Sequence, residues 1–158
     1  MSVNSWERRL SKVEFVWQTY LYNERLAQML HSKIPNKYRH DYVDRIISTG
    51  LEALRLLVDA NEINLNQKTT TQLEYETREE NLAKAKSLID HNSTVFFVLY
   101  RNLKTTGSIE LDKFYKNCEC VAEKTNKIIK LIEGTERSDK NRWDERTKKS
   151  QKLIQKVE

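Results

Sequence analysis

The chain is poor in the residues that interrupt helices, with three glycines and one proline among 158 residues. All-β proteins use both residue types at their many turns, so this scarcity indicates long helices and few connections. Cys118 and Cys120 are the only cysteines, which excludes a disulfide framework and favours a reduced, cytoplasmic chain. The longest strongly apolar run covers 95–100, far short of the roughly 20 residues that span a bilayer. We therefore expect a helical protein that does not enter a membrane.

Apolar residues recur at steps of three and four, which predicts helices over about 6–32, 38–63, 71–102 and 109–133. The four predicted core stripes are Leu10, Val13, Trp17, Tyr20, Ala27 and Leu30; Val43, Ile47, Gly50, Leu54 and Leu57; Leu82, Ala85, Ile89, Asn92, Phe96 and Leu99; and Leu111, Phe114, Cys118, Val121, Thr125, Ile128 and Ile132. Well-matched helices of about 25 to 32 residues with short connections predict an all-α fold, an antiparallel up-down-up-down four-helix bundle over 1–136.

Signals at the predicted helix ends support the same count. Pro35 disfavours helical geometry at the preceding residue and so separates the first two helices. Thr71 and Glu74 have the spacing of a capping box, Ser108 suits the start of the fourth helix, and Gly134 suits its end. The polar 64–70 connection is expected to be mobile. Residues 137–158 then form a charged C-terminal extension, either a basic tail or a further helix.

The net charge of +5 is concentrated near the C-terminus, where 137–158 carry eight basic and four acidic residues. This distribution is compatible with a polyanionic partner such as RNA or DNA. The candidate nucleic-acid-binding residues are Lys33, Lys37, Arg39 and His40 beside the proline, and Arg142, Arg146, Lys148, Lys149 and Lys152 in the extension. Trp143 could stack on a base or an arginine. The alternative for both groups is a solvated surface without a ligand.

A secondary basic stripe follows the predicted fourth helix, roughly opposite its apolar stripe, and is expected to be exposed. Its members are Lys113, Lys116, Lys124, Lys127 and Lys130. Asp112 and Glu123 interrupt it, so a solvated face is the favoured interpretation of this group.

Motifs for catalysis or cofactors are weak. The two cysteines do not make a structural zinc site, which needs four ligands, and Cys118 belongs to the core stripe. Arg25 and His31 fit the arginine-to-histidine spacing of HEPN-type ribonucleases, in which an imidazole moves a proton while a guanidinium holds the phosphate. Leu26 replaces the usual polar residue of that motif, which weakens the ribonuclease interpretation. We therefore expect a protein that is not an enzyme, and we expect no metal or cofactor.

The segment from about 30 to 102 resembles a superfamily of four-helix bundles. This group contains the accessory variability determinant protein of diversity-generating retroelements and the proteins encoded in ribosomal-RNA intervening sequences. The resemblance rests on Ile34, Pro35 and Lys37, on the apolar run 51–58, and on the pair Ala60-Asn61. It implies a basic homo-oligomer, a pentameric barrel, that associates with a reverse transcriptase and its template RNA without catalysis of its own.

These observations favour a non-enzymatic, nucleic-acid-binding scaffold of a reverse transcriptase. A protein–protein adaptor in a mobile-element mobilisation or defence complex is the alternative, and a HEPN-like ribonuclease is the third possibility. The identity of the nucleic acid and the number of subunits stay open at this level.

Overall fold

The computed structural model of the protein describes residues 14–31, 34–106 and 111–157. This part of the chain contains four long helices and no strand, which confirms the all-α prediction. In chain order, the elements are α1 (Glu14–His31), the single turn α2 (Asn36–Tyr38), a π-helical turn (Arg39–Val43), α3 (Asp44–Glu62), α4 (Gln72–Thr106) and α5 (Leu111–Val157). None of the described helices has an apolar stretch long enough to cross a membrane.

The helix ends agree with the sequence at two places. Pro35 lies between α1 and α2, and its carbonyl accepts the first turn's hydrogen bond from the Tyr38 amide at 2.9 Å. Thr71 and Glu74 form the predicted capping box, in which each side chain accepts a hydrogen bond from the other residue's amide, at 2.7 and 3.2 Å. Ser108 lies outside the described residues.

The predicted end of the fourth helix is wrong. Gly134 lies inside α5, which continues unbroken to Val157 and has 47 residues. The prediction of equal helix lengths is also wrong, because α3 has 19 residues, α4 has 35 and α5 has 47. A glycine costs only about 1 kcal/mol inside a helix, so favourable contacts on either side of it are enough to carry the helix through.

The core confirms the α4 stripe completely, because all six of its predicted residues are buried. In α5 the stripe is buried at Phe114, Val121, Thr125, Ile128 and Ile132, with Cys118 half-buried; the Leu111 side chain is outside the described part. The α3 stripe is confirmed at Val43, Gly50 and Leu57, which are buried, but Ile47 and Leu54 are half-buried. The packed face is rotated toward Ile46, Ala53 and Ala60, which are buried instead. A spacing of three and four residues fits two adjacent faces of an apolar helix. The packed face of α3 is the one with Gly50, Ala53 and Ala60, because small residues allow close helix packing.

Most of the predicted α1 stripe is also displaced: of its four described residues Leu30 is buried as predicted, whereas Ala27 is half-buried. The buried residues are Phe15, Val16, Thr19, Tyr22, Leu26 and Leu30. Trp17 and Tyr20 are half-buried and stack on each other with ring centroids 5.5 Å apart. Leu10 and Val13 lie outside the described residues.

Contacts between α3 and α4 follow both helices along their length. The Asn102 amide donates to the Tyr42 hydroxyl at 2.8 Å, the Asn92 amide donates to the Ile46 carbonyl at 2.9 Å, and Arg78 donates to the Ala60 carbonyl at 2.6 Å. The start of α3 therefore meets the end of α4, and the end of α3 meets the start of α4. The 64–70 connection and the Pro35 turn consequently lie at opposite ends of α3.

Candidate nucleic-acid interface

The packed face of α5 continues past the apolar residues as a polar stripe. Thr135, Asp139, Trp143 and Arg146 follow Ile132 at steps of three, four, four and three, which keeps them on the same side of the helix. Asp139 is buried, and the other three are half-buried. Polar contacts therefore hold α5 as far as Arg146, beyond the point where the apolar pattern stops, which is why apolar spacing alone did not predict this part of the helix.

Asp139 forms a buried ion pair with Arg78 of α4. The Arg78 guanidinium donates to both carboxylate oxygens, at 2.6 and 3.2 Å, and the two residues are 9% and 2% exposed. The same guanidinium donates to the carbonyls of Ala60 and Ile63, where α3 ends. This pair joins three helices, and its charges are unavailable to a ligand. The spacing of the α4 stripe could have predicted that Arg78 is buried, because Arg78 precedes buried Leu82 by four residues.

Arg146 holds the 64–70 connection. Its guanidinium donates hydrogen bonds to the backbone carbonyls of Gln67, Lys68 and Thr70, at 3.1 and 2.9 Å for the first and last. Thr70 is itself buried and donates to the Asn64 carbonyl at 2.7 Å. The connection predicted to be mobile is thus a tied loop, since a charged donor shared among three carbonyls makes comparatively strong hydrogen bonds.

Trp143 completes the attachment of α5 to α4. Its indole nitrogen donates to the Gln72 side chain at 2.7 Å, and its ring stacks on Tyr75 with centroids 4.8 Å apart. The Arg146 guanidinium lies 4.7 Å from the Trp143 ring centroid, which is the arginine partner anticipated for this tryptophan. A base is therefore not needed to explain this aromatic residue.

A basic cleft lies between the tied loop and α5, with a volume of about 570 Å³. The loop contributes Leu65 and Lys68 to it, and α5 contributes Arg142, Arg146, Lys149 and Leu153. Among the described lining residues four are cations, against the single carboxylate of Glu145. Sequence reasoning missed Lys68, because it stands alone in a polar connection and only the fold brings it to α5.

The cleft unites three of the five residues predicted in the extension: Arg142, Arg146 and Lys149. These three residues are spaced by four and three positions and so lie on one helix face. The Arg146 guanidinium is hydrogen-bonded to the loop carbonyls. Lys148 and Lys152 are exposed but do not line the cleft. At about 100° per residue, Lys152 lies at the edge of this face and Lys148 lies beyond it.

The basic group beside Pro35 does not join this surface. Lys37 and Arg39 are exposed; the Lys37 ammonium lies 4.9 Å from the Tyr38 ring centroid, and Arg39 donates to the Ile34 carbonyl at 3.4 Å. His40 lies 3.5 Å from the Asp44 carboxylate, and both are exposed. Lys33 lies outside the described residues. The 19 residues of α3 separate this group from the basic cleft by about 28 Å, so the two groups do not form one patch.

The secondary stripe on α5 is exposed at Lys113, Lys116, Lys127 and Lys130. Lys124 differs from the prediction, because it is half-buried. It follows the buried Val121 by three residues, so its aliphatic stem lies beside the packed face, as long basic side chains commonly do.

The residues that the sequence offered for catalysis or metal binding are described only in part. Arg25 is exposed, and the His31 side chain lies outside the described residues. Burial raises the pKa of Cys118 to about 12, which keeps its thiol protonated and unreactive at neutral pH. No group of three or more potential metal ligands occurs among the described residues.

Comparisons of the chain with protein-family models, with curated proteins and with solved structures find no match.

Proposed function

We propose that the protein is a non-enzymatic, nucleic-acid-binding scaffold whose principal contact surface is the C-terminal part of α5. The observation that carries this proposal is the basic cleft, where the tied loop adds Lys68 to Arg142 and Lys149. Like charges that line one cleft repel one another, and the single carboxylate of Glu145 balances one of the four cations, so a further anion would be favoured there. Phosphate groups meet that requirement, and the proposed ligand is RNA.

Phosphate contacts give the proposed complex two properties. Affinity falls steeply with salt because bound lysines and arginines displace condensed counterions, and sequence preference is weak because phosphates are the same at every base. The turn cations Lys37 and Arg39, at the other end of α3, supply a second contact if the ligand extends along the molecule.

The proposed architecture for this role is an antiparallel, up-down-up-down bundle whose fourth helix extends beyond the other three. Contacts of α3 with α4 in opposite order support the antiparallel arrangement, and the 47 residues of α5 support the extension. The partners in this proposal follow the resemblance to retroelement accessory proteins: a reverse transcriptase and its structured template RNA.

The test compares two triple variants that remove equal charge from the same helix. In the first, Arg142, Lys149 and Lys152 become Gln; in the control, Lys116, Lys127 and Lys130 become Gln. We expect the first variant to weaken binding to a structured RNA and to make the slope of log affinity against log salt shallower by up to about three units. The control should change both quantities less. RNA binding that is absent in the parent protein, or equal losses in both variants, would contradict the proposal.

A protein–protein adaptor is the second candidate, favoured by an exposed apolar surface at the other end of α5. Phe97 of α4 and Tyr115 of α5 are exposed, and Tyr100 lies between them with ring centroids 6.2 Å from Phe97 and 5.8 Å from Tyr115. Apolar clusters of this kind mark contact surfaces. Self-association through this aromatic surface is also part of the main proposal, with a pentamer as the favoured assembly.

A further inference from the structure

The basic cleft combines two kinds of wall that a phosphate alone does not require. Lys68, Arg142 and Lys149 bring positive charge, whereas Leu65 and Leu153 bring apolar surface. The Leu153 side chain is 65% exposed although it lies on the face of α5 that carries Arg142 and Arg146. A nucleotide matches both walls, because it joins an anionic phosphate to an apolar base face.

The cleft is also held open by contacts that do not involve a ligand. The three loop carbonyls on Arg146 fix the loop wall, and the buried Arg78–Asp139 pair fixes the helix wall one to two turns away. The Trp143 ring is already packed against Tyr75 and Arg146. Leu65 and Leu153 are therefore the apolar side chains that a base in the cleft would contact. A preformed cleft of this kind binds without first having to order itself.

We propose that the basic cleft binds one unpaired nucleotide, so that the protein prefers single-stranded segments of RNA over duplex. The phosphate lies against Arg142, Lys149 and Lys68, and the base packs on Leu153 and Leu65. Bases in a duplex are stacked and paired, so their faces cannot enter a side pocket without being extruded. This inference rests on the proposed nucleic-acid-binding function and names the form of nucleic acid that the site takes.

The first test separates base contact from charge with Leu153→Ser, which alters no charge and changes an exposed side chain. Fluorescence anisotropy would measure binding to a labelled 12-nucleotide oligouridylate and to a 12-base-pair RNA duplex. We expect affinity for the single strand to fall by up to about fivefold, the lower end for aromatic side chains that stack on a base, because leucine offers a smaller contact, and affinity for the duplex to change less than about twofold. Equal changes for the two ligands, or none for either, would overturn the proposal.

A matched pair of lysines tests the position of the phosphate. Lys149 lines the cleft and Lys148 does not, although both are exposed neighbours on α5. Lys149→Gln should reduce affinity for oligouridylate several-fold more than Lys148→Gln. Equal losses in the two variants would show that the phosphate does not lie in the cleft, although α5 would still bind RNA. A parent protein that binds no nucleic acid would refute the proposed function itself.

Competition with inorganic polyphosphate of matched phosphate number supplies the final control, since this polymer carries charge but no base. Polyphosphate should displace oligouridylate at least about tenfold less effectively than unlabelled oligouridylate does. Equally effective displacement would show that the cleft recognises charge alone, and the proposal would fail.

Discussion

Glu79 and Glu80 are adjacent residues of α4 whose carboxyl groups meet opposite surroundings. Burial raises the pKa of Glu79 above its ordinary value of 4.5, and repulsion from Asp139 and Glu136 adds to the shift. One Glu79 carboxylate oxygen is buried without a hydrogen-bond partner among the described residues. The hydrogen bond from Lys84 instead lowers the pKa of Glu80, which is fully exposed. Arg78 and Lys140 oppose the Glu79 shift, and Lys86 pairs with Glu136 at 2.8 Å, but the negative charge around Asp139 outweighs them at Glu79.

This contrast predicts opposite responses to pH. A raised pKa means that the folded state binds the Glu79 proton more tightly, so the associated stability is complete below about pH 4.5 and is lost as pH rises through the folded-state value. Glu79→Gln should increase the free energy of unfolding at pH 7.5 by less than about 1 kcal/mol, because water screens a partly exposed group. The melting temperature should therefore rise at pH 7.5 and should not rise at pH 4.

Glu80→Gln is the matched control, and circular dichroism at the two pH values makes the comparison. Its lowered pKa gives stability that is present above the unfolded value and lost as pH falls. This variant should therefore lower the melting temperature slightly at pH 7.5. If Glu79→Gln also lowered it there, the charge imbalance around Asp139 would be disproved.

At the scale of helices, two glycines occupy helix interiors for different reasons. A β-carbon on Gly50 of α3 would overlap the side-chain oxygen of Asn23 in α1 and approach its Cγ to 3.1 Å. The Asn23 amide donates to the Gly50 carbonyl at 2.7 Å, so glycine permits this contact between α1 and α3. A β-carbon on Gly134 of α5 would meet nothing within 4 Å.

The same substitution should consequently have opposite signs in the two helices. Gly134→Ala should stabilise the protein by about 0.5–1 kcal/mol, the usual gain in a helix interior. Gly50→Ala should destabilise it by about 1–2 kcal/mol, because displacing Asn23 breaks a partly buried hydrogen bond.

Urea denaturation would measure both glycine variants, with Asn23→Ala as the background that removes the obstacle. In that background Gly50→Ala should become neutral or stabilising. A Gly50→Ala variant as stable as Gly134→Ala would show that α1 and α3 are not packed closely at this position.

The helices could be predicted from the sequence where apolar residues decide the packing. The α4 stripe from Leu82 to Leu99 is an example, because no other face of that segment offers a continuous alternative. The end of α5 could not be predicted, because Asp139 and Arg146 are polar residues whose partners lie at least 61 positions away. Likewise, the α5 residues of the basic cleft could be predicted because they belong to one charged segment. Lys68 could not be predicted, because only the fold brings it close to them.

At the scale of the whole molecule, the aromatic surface of Phe97, Tyr100 and Tyr115 predicts self-association. Light scattering behind a sizing column should show about 94 kDa for a pentamer of the 18.8 kDa chain. Phe97→Glu should shift the mass toward that of one chain, because it places a charge in the proposed contact.

Phe97→Glu has a control in Leu73→Glu, since Leu73 is exposed on α4 outside this surface and its replacement should leave the mass unchanged. A parent protein that elutes with the mass of a single chain would rule out the pentamer, although the nucleic-acid proposal would not depend on that result.

The contacts of Arg146 with the 64–70 loop also determine the order in which this protein can be completed during synthesis. The loop residues emerge from the ribosome early, but the guanidinium that holds their carbonyls follows more than 70 positions later. Contacts between residues so distant in sequence form slowly, because a long segment must close first. A nascent chain therefore has its four-helix core available before its basic cleft exists. The surface proposed to bind RNA is therefore assembled only after α5 has been synthesised as far as Arg146.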